Sequence, residues 1–146
     1  MNIGIRLHDV NTNCTASQRT LEARAAMARS QGFSCVHLAL QKVIEGFECD
    51  EKSMTPALAM HMKRVFAAND MDIAVLGSYY NLAHPDPAAL EEIRHRYYAN
   101  IRVASLSGAC MVGTETGCPN AAYAYDRNTH TEEALLAFEK GLEPVV

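Results

Sequence analysis

The strongest constraint on the fold is an alternation, met four times, of a short apolar run with a longer segment of helical period. Residues 2–10, NIGIRLHDV, lead through a polar loop to TLEARAAMARSQG, where Leu21, Ala25 and Ala28 share a face and Gly32 marks the helix end. SCVHLAL precedes TPALAMHMKRVFAAND, in which Thr55 is the expected N-cap, Pro56 opens the helix, and Leu58, Met62, Val65 and Phe66 form the buried stripe. MDIAVLGSYYN precedes DPAALEEIRHRYYANIRVASLSG, with Asp86-Pro87 repeating the cap signal and Leu90, Ile93, Tyr97 and Ile101 on one face. CMVGTETGCPN precedes THTEEALLAFEKGLEPVV, where Thr129 and Glu132 match a capping box, Leu135, Phe138, Leu142 and Val145 continue the stripe, and Pro144 ends or kinks the helix.

Strand-then-helix alternation predicts an α/β fold with a parallel sheet. The 146 residues suit one domain, and the units recur about every 30 to 40 residues. That is the spacing of a (β/α)₈ barrel of roughly 250 residues, so four units amount to the (βα)4 half of a TIM barrel. A dinucleotide-binding doubly wound sheet needs a glycine-rich first loop, and LHDVNTNCTASQRT contains no glycine. GLEPVV ends on apolar residues, as though a fifth strand followed. The expectation is an incomplete barrel or a self-pairing homo-oligomer that covers the open strand edges.

Strand alternation sorts the side chains into two faces. Ile3, Ile5, Leu7, Val36, Leu38, Leu40, Ile73, Val75 and Val112 are expected toward the helices. Gly4, Arg6, His8, Cys35, His37, Ala39, Ala74, Leu76, Ser78, Met111, Gly113 and Glu115 then point inward. The polar members lie near the carboxyl ends of the strands, where barrel enzymes build their sites. Arg6, His8, His37 and Glu115 are therefore expected at one mouth, with Tyr79, Tyr80 and His84 from the third loop. Arg6 and Glu115 would also satisfy each other as an internal ion pair, His37 alone suits a core position, and His84 before Pro85 suits the shaping of a turn.

Composition excludes several classes. Net charge is −4 and the 13 Lys and Arg are dispersed, which argues against a nucleic-acid surface. Five cysteines form no CxxC pair; Cys35 and Cys110 sit in apolar runs as small hydrophobes, and the usage fits a reducing cytoplasm. Cys110 and Cys118 are eight apart without a paired histidine, so no zinc site is expected. No apolar run nears the roughly 20 residues of a membrane helix, no export leader is evident, and no G-x-S-x-G elbow or P-loop occurs.

SYYNLAHPDPAALEEI followed by MVGTETG resembles the sugar phosphate isomerase/epimerase group of xylose isomerase-like barrels, and NIGIRLHD and GFSCVHLAL resemble its first two strands. The likeness covers the whole chain as the amino-terminal half of a family member. It implies metal-assisted proton transfer on a small carbohydrate, with Mn, Mg or Zn held by carboxylates and a histidine from the fifth to eighth strands. No metal is then expected on this chain alone. The half present would supply catalytic Glu115 and His84 and substrate-binding Arg6, His8, His37 and Tyr80. Endonuclease IV shares the superfamily, but the neighbourhoods of its metal histidines here read AVLGS and MVGTE, without histidine. The alternative is a catalytically inert half-barrel that binds a small ligand or serves assembly.

Overall fold

The computed structural model describes residues 2–10 and 20–146. Cys14 and the loop around it lie outside the described residues. Four strands, β1 (Gly4–Arg6), β2 (Cys35–Leu38), β3 (Asp72–Gly77) and β4 (Val112–Gly113), form one parallel sheet in the order β1-β2-β3-β4. Helices α1 (Leu21–Ser30), α2 (Leu40–Val43), α3 (Pro56–Ala68), α4 (Pro87–Ser107) and α5 (Glu132–Leu142) fill the connections and the C-terminal segment. The chain divides into two compact units, residues 1–77 with 99–113, and residues 78–98 with 114–146.

The first unit holds the sheet. On its helix-packed face Val36 pairs with Ile73 and Leu38 with Leu76, and all four are buried. Ala25 and Ala28 of α1 and Ala59, Met62, Val65 and Phe66 of α3 complete the core. Small residues on α1 let the helix approach closely. The opposite face is exposed or half-buried at Gly4, Arg6, Cys35, His37, Val75 and Gly113. Glycine is needed there: a Cβ on Gly4 would lie 2.9 Å from Cys35 Sγ, and one on Gly113 2.7 Å from Val75 Cγ1.

Strict alternation fails at one place. The β2–β3 register shifts between Val36 and His37, so Val36 faces Ile73 but His37 faces Val75, and Ala74 is the extra residue. A bulge inverts the faces of everything after it. Val75 therefore lies on the open face and Leu76 on the helix face, the reverse of the expected assignment.

The caps at Thr55 and Gly32 agree with expectation: Thr55 Oγ1 accepts from Leu58 N–H at 3.2 Å, and Gly32 has φ +93°. Four positions do not. The N-cap of α5 is Thr131, whose Oγ1 accepts from Ala134 N–H, while Thr129 closes a 3₁₀ turn capped by Asp126. Leu135 is 51% exposed, and Ala134 and Gly141 are buried in its place. Ile101 is exposed, and Asn100, Val103 and Ala104 carry the buried face of that part of α4. Cys110 is exposed rather than packed.

The second unit has its own small core, in which Leu82, Tyr97 and Val145 are buried among Leu90, Ile93, Phe138 and Leu142. α5 comes so close to residue 82 that a Cβ on Gly141 would overlap the Leu82 carbonyl. Pro144 falls in the 3₁₀ turn Glu143–Val145, so α5 ends at Leu142.

Candidate functional site

In the first unit β1 ends at Arg6 because Leu7, fully buried, turns the chain into the 3₁₀ turn Leu7–Asp9. This places Arg6 Nε 2.6 Å from Asp9 Oδ2, an exposed pair. His8 packs edge-on to His37, with ring centroids 6.0 Å apart and planes at 77°. Both imidazoles are held below their ordinary value of 6.5, chiefly by burial. Arg6 and Lys42 push both down further, Arg24 lowers His8 and His8 lowers His37, and only Asp9 opposes. Arg24 in turn donates to the carbonyls of Leu7 and Val10 at 3.4 Å, fixing the turn. The result is two neutral imidazoles at the carboxyl ends of β1 and β2, each with one donor and one acceptor nitrogen. His8 Nδ1 is buried and has no hydrogen-bond partner among the described residues. Arg6, His8 and His37 are thus near one another, although His8 sits in the 3₁₀ turn beyond β1, where strand alternation no longer governs it.

In the second unit the organising residue is Asn81. Its Oδ1 accepts from Cys118 N–H at 2.9 Å and Ala83 N–H at 3.2 Å; its Nδ2 donates to the carbonyls of Cys118 at 2.8 Å and Asn120 at 3.1 Å. Gly117, at φ +74°, is left-handed, and a Cβ there would strike Asn81 Oδ1. NLAHPD and GTETG, distant in sequence, are in this way tied by one amide. Tyr97 reinforces the tie, since its hydroxyl donates to the Ser78 carbonyl at 2.7 Å and is hydrogen-bonded to Thr114 Oγ1. Burial raises the Tyr97 phenol above its ordinary value, against those hydrogen bonds.

Glu115 lies beyond β4, so strand alternation no longer governs it, and it is exposed rather than directed inward. Tyr123 donates to Glu115 Oε2 at 3.1 Å from a left-handed backbone, φ +51°. Its phenol is raised above the ordinary value by desolvation first and the Glu115 hydrogen bond next. Arg6 and Glu115 each find a partner within their own unit, Asp9 and Tyr123, in place of the expected internal ion pair.

Tyr80 and His84 line a cleft of about 280 Å³ with Ala89, Glu92, Ile93 and Arg96. His84 Nδ1 lies 3.1 Å from Asp86 N and 3.3 Å from Asp86 O. Asp86 N–H donates to Nδ1, so Nδ1 is assigned as acceptor and Nε2 as the N–H of the ring. Arg96 lies over the Tyr80 ring, 5.5 Å from its centroid, and donates to Glu92 Oε1 at 2.9 Å.

Asp9, Asn81, Tyr123 and Arg96 were not among the sequence candidates. Asp9 and Arg96 had a visible signal in their spacing, i+3 from Arg6 and i+4 from Glu92. Asn81 and Tyr123 had none, because their partners are set by loop paths. A cavity of about 420 Å³ at the amino end of β3, bordered by Phe66, Asp70, Ile73 and Gly108, involves none of the candidate residues. Among the described residues no three His, Cys, Asp or Glu side chains converge as metal ligands, and no helix is long and apolar enough to cross a membrane. Comparison with known proteins finds no matching family model, curated protein or solved structure.

Proposed function

We propose that the chain supplies the first four βα units of a (β/α)₈-type barrel, and that the complete barrel isomerises or epimerises a small carbohydrate. The observation that carries this reading is the sheet order β1-β2-β3-β4, wholly parallel and without reversal, with Arg6, His8 and His37 at the carboxyl ends of its first strands. A doubly wound sheet reverses its strand order at the ligand crevice; a barrel adds each strand in sequence. Neutral imidazoles can both give and take hydrogen bonds with ligand hydroxyls, and Arg6 adds fixed positive charge.

In the second unit Glu115 is the proton-handling carboxylate, His84 the further acid–base group and Tyr80 a substrate contact. The described residues form no ligand set for the Mn, Mg or Zn of such barrels, whose ligands the resemblance places on the fifth to eighth strands. Strands β1 and β4 end the sheet, and their edges would be covered by further strands or by a second copy.

The test is Glu115→Gln in the full-length enzyme. Turnover should fall by roughly 10²-fold or more, the scale of general acid–base catalysis, with an unchanged melting temperature. Normal turnover would remove Glu115 from the mechanism. The exposed edges also suit a second reading, an inert half-barrel that binds a small ligand or assembles with itself. A folded dimer of the 146-residue chain without isomerase activity would establish that alternative.

A further inference from the structure

The cleft between the Tyr80–His84 segment and the first turns of α4 has a composition that points to its occupant. It is lined by apolar Ala89 and Ile93 together with Tyr80, His84, Glu92 and Arg96. The guanidinium is steadied by the ring beneath it and is occupied by Glu92, one helical turn earlier. The Glu92 side chain is 70% exposed, and its bond to Arg96 is a solvent-screened i,i+4 pair, a weak kind of ion pair. A carboxylate delivered by a ligand that also buries apolar surface on Ala89 and Ile93 has an advantage over this weakly held one. Arginine's planar fork matches that group. His84, in its Nε2–H form, is a second donor on the cleft wall.

We propose that this cleft binds a small organic carboxylate, with the ligand's carboxylate displacing Glu92 from Arg96 and its short apolar portion resting on Ala89 and Ile93. Glu92 then acts as an internal occupant of the site. This reading takes Tyr80 and His84 as ligand-facing, as the proposed function does, but depends on neither Glu115 nor a sugar. At about 280 Å³ the cleft has room for a small ligand of this kind.

The experiment is an NMR titration of the full chain with propionate at constant ionic strength, following the side-chain signals of His84 and Arg96. Propionate should bind saturably, with both signals following a single one-to-one isotherm. Glu92→Gln should tighten binding severalfold, because the competing carboxylate is gone. Arg96→Gln should weaken it by roughly tenfold or more, the scale of a charge-assisted hydrogen bond. Arg96→Lys keeps the charge without the fork and should recover only part of the loss, which separates recognition from a general electrostatic effect. Unchanged or weaker binding in Glu92→Gln would overturn the proposal, as would inorganic phosphate binding as tightly as propionate, since phosphate gains nothing from an apolar lining. No shift of either signal would overturn it outright while leaving the Glu115 test untouched.

Discussion

Asn81 is 4% exposed, and its side-chain amide makes four hydrogen bonds to backbone groups of residues 83, 118 and 120. Truncating it strands buried donors and acceptors rather than merely deleting a contact, and that penalty is the larger one. Asn81→Ala should destabilise the protein by roughly 2–4 kcal/mol in urea unfolding. Asn81→Asp would set a carboxylate oxygen against the Cys118 and Asn120 carbonyls and should cost at least as much; wild-type stability in Asn81→Ala would mean that the GTETG loop is held by something else. Residue-scale reading of the sequence singled out Arg6, His8, His37, Tyr80, His84 and Glu115 as candidates because polar side chains at strand ends stand out against apolar runs. It missed Asn81, whose neighbours in sequence give no sign of what its amide will meet.

Among the elements, α5 shows how packing overrides local pattern. The stripe through Leu135 is a good helical period, yet Ala134 and Gly141 face the core and Leu135 does not. Starting the helix at Thr131 fixes the rotation, and Gly141 permits the backbone of α5 to meet the Leu82 carbonyl. Gly141→Ala improves helix propensity by about 0.8–1.0 kcal/mol on its own. Here it should instead destabilise by about 1–3 kcal/mol, as overpacking does, measured by thermal or urea unfolding. A stabilised variant would show that α5 readily moves away. The bulge at Ala74 is the sheet's counterpart: one inserted residue exchanges the faces of Val75 and Leu76, and no local propensity announces it.

For the molecule as a whole, the paired histidines make stability depend on pH. His8 and His37 are held below 6.5 in the folded protein, so once pH drops beneath that value the unfolded chain binds more protons. Their contribution is fully present above the unfolded value and is lost as pH falls through the lowered folded values. Arg6, Arg24 and Lys42 deepen the loss and Asp9 moderates it. Urea midpoints should decline from neutral pH into the range beneath 6.5, and His8→Gln with His37→Gln should flatten that decline. An equally steep decline in the double variant would assign the pH dependence to other groups.

The α/β class, the four strand–helix units in order, and the caps at Thr55 and Gly32 are written in the sequence, because period and capping depend on residues a few positions apart. The face of each side chain after Ala74, the partners of Arg6 and Glu115, and the grouping of Tyr80, His84, Glu92 and Arg96 in one cleft were decided by tertiary structure. Those outcomes rest on strand register, helix rotation and loop path, which are set where distant segments compete for the same space.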